Sequence, residues 1–260
     1  MASTLADRIL ADAGNGNGIT QRRARQIEVL CSRYDGAPMG GFFLSAKRWI
    51  QIARLVITEG GSNLVKRVMD IVVSAGMLLL LSPIFLLVAI AIKLTDRGPV
   101  LFWQTRVGRH GKEFRFPKFR SMVVNSEQLI KQLKSKSHHG EGVTFKMKND
   151  PRVTKVGKII RKLSIDELPQ LWCVLKGEMS LVGPRPALPR EVALYRVEER
   201  RRLDVMPGLT CIWQVSVRGD LPFPEQLTLD VYYIENRSLL LDIKLLLWTI
   251  PAVLFGKGAY

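Results

Sequence analysis

IVVSAGMLLLLSPIFLLVAIAI, residues 71–92, is a run without a charged side chain, and its reading decides the fold. A helix needs roughly 20 apolar residues to cross a bilayer, so the length permits a span. Two features oppose a plain one. Ser82-Pro83 falls at the midpoint, where proline removes a backbone hydrogen bond and bends a helix. Both flanks are also basic: Lys66 and Arg67 precede the run, while Lys93, Arg97, Arg106, Arg109, Lys112 and Arg115 follow it. Positive charge marks the cytoplasmic side of a membrane segment, so each end asks for the same side. A re-entrant helix, entering and leaving one leaflet through a bend at Ser82-Pro83, satisfies both ends. A spanning helix with a tolerated proline competes, and the run by itself leaves the two open.

Outward from that run the chain divides. Residues 1–63 read as an extension, broken by GNGNG at 14–18 and DGAP at 35–38, with short basic helices around 21–30 and 44–57. Residues 64–96 form the membrane helix, and residues 97–260 form the main domain. Lys plus Arg number 39 against 23 Asp plus Glu, a net charge of +16. Such a surplus points to polyanions: nucleic acid, an anionic membrane face or phosphorylated ligands. The three cysteines, Cys31, Cys173 and Cys211, form no CxxC and read as reduced thiols facing the cytosol. His110, His138 and His139 lack zinc-ligand spacing. MASTLADRILADAG has no apolar core, so a secretory signal is excluded.

In the main domain, residues 98–122 alternate apolar and basic positions between glycine turns and predict a hairpin or extended region. Helices are expected over 126–136, 154–163, 188–203 and 239–255. The last is apolar but carries Asp242 and Lys244, so an interfacial helix is expected rather than a second span. The fold class is α/β, mainly helical.

Chemistry concentrates in RKLSIDELPQLWCVLKGEMSLVGPRP, residues 161–186. An adjacent carboxylate pair, Asp166-Glu167, stands between Arg161-Lys162 and Arg185. Carboxylates among arginines suit work on a phosphorylated substrate, where one group attacks or holds a metal and guanidinium forks grip phosphate oxygens. A surface salt-bridge cluster is the alternative. Ser164-x-x-Glu167 is a capping-box pattern that makes Glu167 partly a helix cap; with Asp166 as the cap instead, Pro169 lies within the first turn. Either frame puts Asp166 at a helix start, where negative charge is stabilised, and makes it the stronger nucleophile candidate. Lys118 and Arg120 are spaced to share one side of an extended strand. Arg218 lies in a VRGD loop, and Asp230 and Asp242 are carboxylates in apolar surroundings, which need a partner or a metal.

Taken together, KRVMD (66–70), SP (82–83), and the blocks at 98–122, 149–172, 175–186, 207–219, 229–244 and the closing GKGAY resemble the bacterial sugar transferases. These are monotopic polyprenyl-phosphate phosphoglycosyl transferases that begin exopolysaccharide, capsule or O-antigen assembly, and the resemblance covers about residues 64–260. It implies transfer of sugar 1-phosphate from a UDP-sugar to undecaprenyl phosphate, with release of UMP. Asp166 would attack the β-phosphorus and carry the phosphosugar. Glu167 would complete a dyad that also holds Mg²⁺. Lys118, Arg120, Arg161, Arg185 and Arg218 would grip phosphates, and Asp242 matches an acidic position near the site. Ser82-Pro83 matches the break of a re-entrant helix, which decides the membrane reading for a monotopic anchor. The resemblance places the chain on the bacterial inner membrane with its catalytic domain on the cytoplasmic face, in contact with membrane lipids. It leaves room for a homo-oligomer.

Cys173 and Cys211 depart from the family pattern, the latter standing where glycine is usual. Cysteine there demands ordinary backbone angles. A nucleic-acid partner is not expected, because no nucleic-acid motif accompanies the charge and anionic lipids account for a basic surface. A non-catalytic scaffold of polysaccharide assembly is the remaining alternative, opposed by the intact carboxylate pair. The sugar itself is not readable.

Overall fold

The computed structural model describes residue 7, residues 63–126, residue 129, and residues 150–216 and 221–255. The helices expected over 21–30 and 44–57, most of that over 126–136, and Arg218 lie outside the described residues.

At Ser82-Pro83 the chain bends by 57° between helix α1, Asn63–Leu80, and helix α2, Ser82–Asp96. Pro83 cannot donate to the Leu79 carbonyl, and the Ser82 hydroxyl does so instead at 2.7 Å, so the bend leaves no orphan acceptor there. Proline is accommodated because it opens a new helix rather than interrupting one. Among the described residues no single helix is long and apolar enough to cross a membrane, whereas this bent pair is when taken together. Val88 and Ile92 of α2 are buried against Phe119 and Ile160. Its other face exposes Ile84, Leu86, Leu87, Ile90 and Leu94.

The expected hairpin forms. Strands β1 (Leu101–Val107) and β2 (Glu113–Phe119) pair antiparallel, from Leu101 opposite Phe119 to Val107 opposite Glu113. Phe114 and Phe116 turn into the core. Helix α3, Lys155–Lys162, starts where Thr154 Oγ1 accepts the Gly157 N–H at 2.8 Å. A Cβ on Gly157 would stand 1.9 Å from the Ser121 carbonyl oxygen, so glycine is what lets α3 lie on the end of the hairpin. A 3₁₀ turn, Ile165–Gln170, leads directly into α4, Leu171–Lys176.

Beyond α4 the core closes around Phe116, Leu171, Met179, Leu181, Ile212, Leu229 and Leu245. A parallel pair crosses it: β3 (Ser180–Val182) beside β4 (Gly208–Thr210). Gly183 and Gly208 meet where this pair ends, and a Cβ on Gly208 would fall 2.0 Å from the Gly183 nitrogen. The continuous helix expected over 188–203 is corrected: α5 covers Pro189–Val192, and a separate 3₁₀ turn covers Glu199–Leu203. Each piece has its own start signal. Glu191 accepts the Leu188 N–H at 2.8 Å and Glu199 accepts the Arg196 N–H at 2.7 Å, the carboxylate half of a capping box used twice. Helices α6 (Ile212–Ser216), α7 (Phe223–Asn236) and α8 (Leu239–Phe255) complete a mainly helical α/β fold with two small sheets among the described residues. Helix α8 has the expected extent. Asp242 and Leu245 are buried, while Leu240, Ile243, Leu247 and Ile250 form an exposed stripe at helical spacing.

Candidate active site

Asp166 and Glu167 occupy the first turn of the 3₁₀ segment, just after Ser164, which adopts a left-handed conformation with φ 53°. The capping box expected between Ser164 and Glu167 does not form: Ser164 caps nothing with its side chain, and Glu167 points elsewhere. Its Oε1 accepts Lys118 Nζ at 2.8 Å and Arg185 Nη2 at 2.6 Å, and its Oε2 accepts Arg185 Nη1 at 3.3 Å. Strand β2 therefore delivers one cation and the Gly183–Pro186 turn delivers the other. Burial alone would raise the Glu167 pKa, but Arg185 and Lys118 outweigh it and hold the carboxyl well below the usual range.

Asp166 is the opposite case. It is buried, yet among the described residues no hydrogen bond or ion pair reaches its carboxylate. Burial, reinforced by the neighbouring Glu167 charge, pushes its pKa up to about 6 against the pull of Lys118, Arg161 and Arg185. The two adjacent carboxylates are thus electrostatically divided: one saturated with cations, the other unengaged and near the point of ionisation at neutral pH. Arg161 completes the surroundings. Its Nε donates to Ser121 Oγ at 2.8 Å, and burial lowers its pKa although the Asp166 charge opposes this.

The Arg185 turn is pinned by two arginines that sequence reasoning passed over. Arg106 Nη1 donates to the Pro186 carbonyl at 3.0 Å, and Arg202 Nη2 donates to the Arg185 carbonyl at 3.4 Å. Arg106 was visible only as a basic flank, and Arg202 only as one charge in a charged helix. Other candidates go elsewhere. Arg120 pairs with Asp96 rather than sharing Glu167 with Lys118. Asp230 pairs with Arg202 at 2.8 Å, and Asp242 with Lys66 at 2.6 Å and the Tyr233 hydroxyl at 2.7 Å. Among the described residues no hydrogen bond or ion pair joins Asp230 or Asp242 to the dyad. Burial pushes the Cys173 thiol up to about 12 and the Cys211 thiol well above its ordinary value, so neither is a thiolate at neutral pH. Cys211 is not among the positive-φ residues, and a side chain is accommodated there without backbone strain.

Lys118, Arg161 and Arg185 thus surround two adjacent carboxylates of which one is free. Comparison with known proteins gives the class. The family model described as bacterial sugar transferase matches residues 61–256, and the chain belongs to that family. It is 51% identical over 165 residues to galactosyl transferase CpsE of Streptococcus agalactiae, covering 63% of this chain and 36% of that protein. It is 40% identical over 198 residues to the exopolysaccharide production protein ExoY of Sinorhizobium fredii, covering 75% of this chain and 88% of that one. It is 44% identical over 208 residues to the undecaprenyl-phosphate galactose phosphotransferase of Salmonella typhimurium, covering 78% of this chain and 43% of that protein. The chain therefore spans nearly all of the rhizobial relative but less than half of the other two.

Proposed function

We propose that this protein transfers sugar 1-phosphate from a UDP-sugar to undecaprenyl phosphate, releasing UMP, as the first step of exopolysaccharide, capsule or O-antigen synthesis. The observation that carries the mechanism is the unengaged Asp166 carboxylate beside a cation-saturated Glu167. One Asp166 oxygen attacks the β-phosphorus. The bond from that phosphorus to the bridging oxygen breaks, and UMP leaves with the electron pair. The phosphate oxygen of undecaprenyl phosphate then attacks the same phosphorus, forms the diphosphate linkage and returns Asp166 as carboxylate. No proton is consumed in either displacement, so the site needs a nucleophile and charge stabilisation rather than a general base. Lys118, Arg161 and Arg185 line that charge, and Arg218 is assigned to the phosphates by family resemblance.

The family resemblance assigns Mg²⁺ to Asp166 and Glu167; Asp166 is free to hold it, whereas Glu167 would share its oxygens between the ion and Lys118 and Arg185. A buried carboxylate without a partner accepts a cation readily, and Mg²⁺ characteristically takes one or two carboxylates with substrate phosphates and water completing its shell. Among the described residues no cluster of three or more His, Cys, Asp or Glu stands ready to hold a metal without substrate, which fits that mode. When bound, the ion supplies neutralisation of the diphosphate charge.

The same reading divides the chain into an extension over 1–63, a re-entrant anchor over 64–96 and a catalytic domain over 97–260. The domain sits on the cytoplasmic face of the bacterial inner membrane. The 57° bend and the exposed apolar faces of α2 and α8 support this, since apolar patches of that kind require a non-aqueous contact. A UDP-sugar is polar and the acceptor is a lipid, so the reaction belongs at the interface. The test is UMP release from a panel of UDP-sugars by the protein in vesicles containing undecaprenyl phosphate, with and without EDTA. A phosphosugar mass on the Asp166 peptide supports the covalent route. Full turnover by Asp166→Asn refutes it.

A further inference from the structure

We propose that one turn of α1, Lys66-Arg67-x-x-Asp70, is a positioning clamp that sets the distance between the dyad and Arg185. The inference rests on reading Asp166 and Glu167 as the catalytic pair. As sequence, Lys66 and Arg67 are a basic flank of an apolar run and part of the KRVMD block that resembles the family, with no role attached to either. The structure turns both inward.

Arg67 reaches the end of α4. Its Nη1 donates to the Val174 carbonyl at 2.6 Å and its Nη2 to the Leu175 carbonyl at 2.7 Å. Carbonyls in the last turn of a helix are short of intrahelical donors; the guanidinium fork supplies one to Leu175 and a second to Val174, which also accepts the Gly177 N–H at 3.1 Å. Helix α4 is continuous with the 3₁₀ turn that carries Asp166 and Glu167, so a grip on its C-terminus fixes the dyad along that axis. One wall of the site is thereby tied to α1.

The other wall is tied by the same turn. Asp70 Oδ1 accepts the Leu181 N–H at 3.0 Å. Lys66 Nζ donates to the Val182 carbonyl at 3.1 Å and to Asp242 at 2.6 Å; the Tyr233 hydroxyl lies 2.7 Å from Asp242 and 3.0 Å from that same Val182 carbonyl, with one proton to give between the two acceptors. Leu181 and Val182 belong to β3, which leads through Gly183-Pro184 into Arg185. Proline restricts the backbone on either side of Arg185, so a fixed strand end fixes the arginine. The pairing of Arg185 with Glu167 at 2.6 Å thus closes a ring whose far side is α1. Asp242 and Tyr233 serve this ring as partners of Lys66 and need no contact with substrate. With α1 as part of the proposed anchor, this ring gives the enzyme a site whose geometry follows the seating of the anchor.

The test uses the full chain in phospholipid vesicles with undecaprenyl phosphate and a UDP-sugar that the wild type turns over. Arg67→Ala is expected to lower kcat roughly 10- to 100-fold, the effect of about an ångström of misplacement at a reacting centre. KM for the UDP-sugar is expected to stay within about threefold, because the lost interaction aligns groups rather than binding substrate. Arg67→Lys restores the charge without the fork and is expected to recover kcat only in part. Ile92→Ala, a core truncation in α2 that packs with Phe119 and Ile165 and makes none of the clamp's hydrogen bonds, is the control: it is expected to lower the melting temperature and to cost far less kcat than Arg67→Ala when assayed well below it. Should Arg67→Ala fail to fold, Arg67→Lys carries the test, and wild-type kcat in that variant overturns the clamp. A kcat near wild type in folded Arg67→Ala also overturns it, as does an equal loss in Ile92→Ala. A wild type that releases no UMP from any UDP-sugar sinks the proposed function and the clamp together. An active wild type beside an unimpaired Arg67→Ala sinks the clamp alone.

Discussion

Asp166 and Asp230 are both buried carboxylates with arginines nearby, and burial pushes both up to about 6. Their surroundings differ in one respect. Asp230 has its own cation, Arg202, at 2.8 Å, whereas around Asp166 Lys118 and Arg185 are taken by Glu167 and Arg161 donates to Ser121. A perturbed pKa therefore marks two unlike places in this molecule, one structural and one chemical. What separates them is engagement: Asp230 holds its cation directly, whereas of the adjacent pair only Glu167 does. The unengaged carboxylate is the one proposed to react.

That contrast can be broken most directly at Asp166. Asp166→Asn is expected to reduce UMP release roughly 10⁴-fold or more, as loss of a covalent nucleophile does, while melting stays close to wild type because no partner is orphaned. Asp230→Asn should do the reverse. Neutralising one partner of a buried pair costs about 3–5 kcal/mol, to be read in a urea titration as a lower midpoint at unchanged slope. If Asp166→Asn destabilises as much as Asp230→Asn, the two sites are alike and the contrast fails.

Glu167→Gln sharpens it. With Lys118 and Arg185 facing a neutral acceptor, kcat is expected to fall about 100-fold through misalignment. The acid limb of kcat/KM is informative in the same experiment. Asp166 with a pKa of about 6 loses its nucleophilic form as pH falls through that value, so wild-type kcat/KM should drop below about pH 6. Removing the Glu167 charge, which helps to raise that pKa, should move the limb to lower pH. A limb that stays in place would assign it to another group. The smallest effect is expected at the exposed Lys176–Glu178 pair, 3.4 Å apart: Lys176→Ala should change stability by less than about 0.5 kcal/mol and leave turnover unaltered.

The parts legible from sequence are those whose signal is local. Alternation gave the hairpin, an uncharged run with Ser-Pro gave the bent pair, and Lys118 reached the dyad because its strand was readable. Glu167 shows where local signals compete. Its capping-box spacing to Ser164 is real, but two cations from distant segments offer a carboxylate more than one backbone N–H does, and the cap is forgone. Arg120, expected on one side of the strand with Lys118, lies one residue past the end of β2 and pairs with Asp96 on a preceding helix. The three-residue parallel strands and the clamp residues were illegible for another reason. Their partners lie far off in the chain, and nothing periodic announces a contact between Arg67 and Val174.

That separation has a consequence for biosynthesis. The Arg67–Val174 contact spans 107 positions in the chain, and synthesis at 5–20 residues per second leaves roughly 5–20 s between the emergence of its two ends from the ribosome. For that interval α1 exists without the strand and helix it will hold. If α1 anchors the chain as proposed, an apolar helix that waits so long for its protein partners meets the bilayer first, and the order of translation places anchoring ahead of assembly of the site.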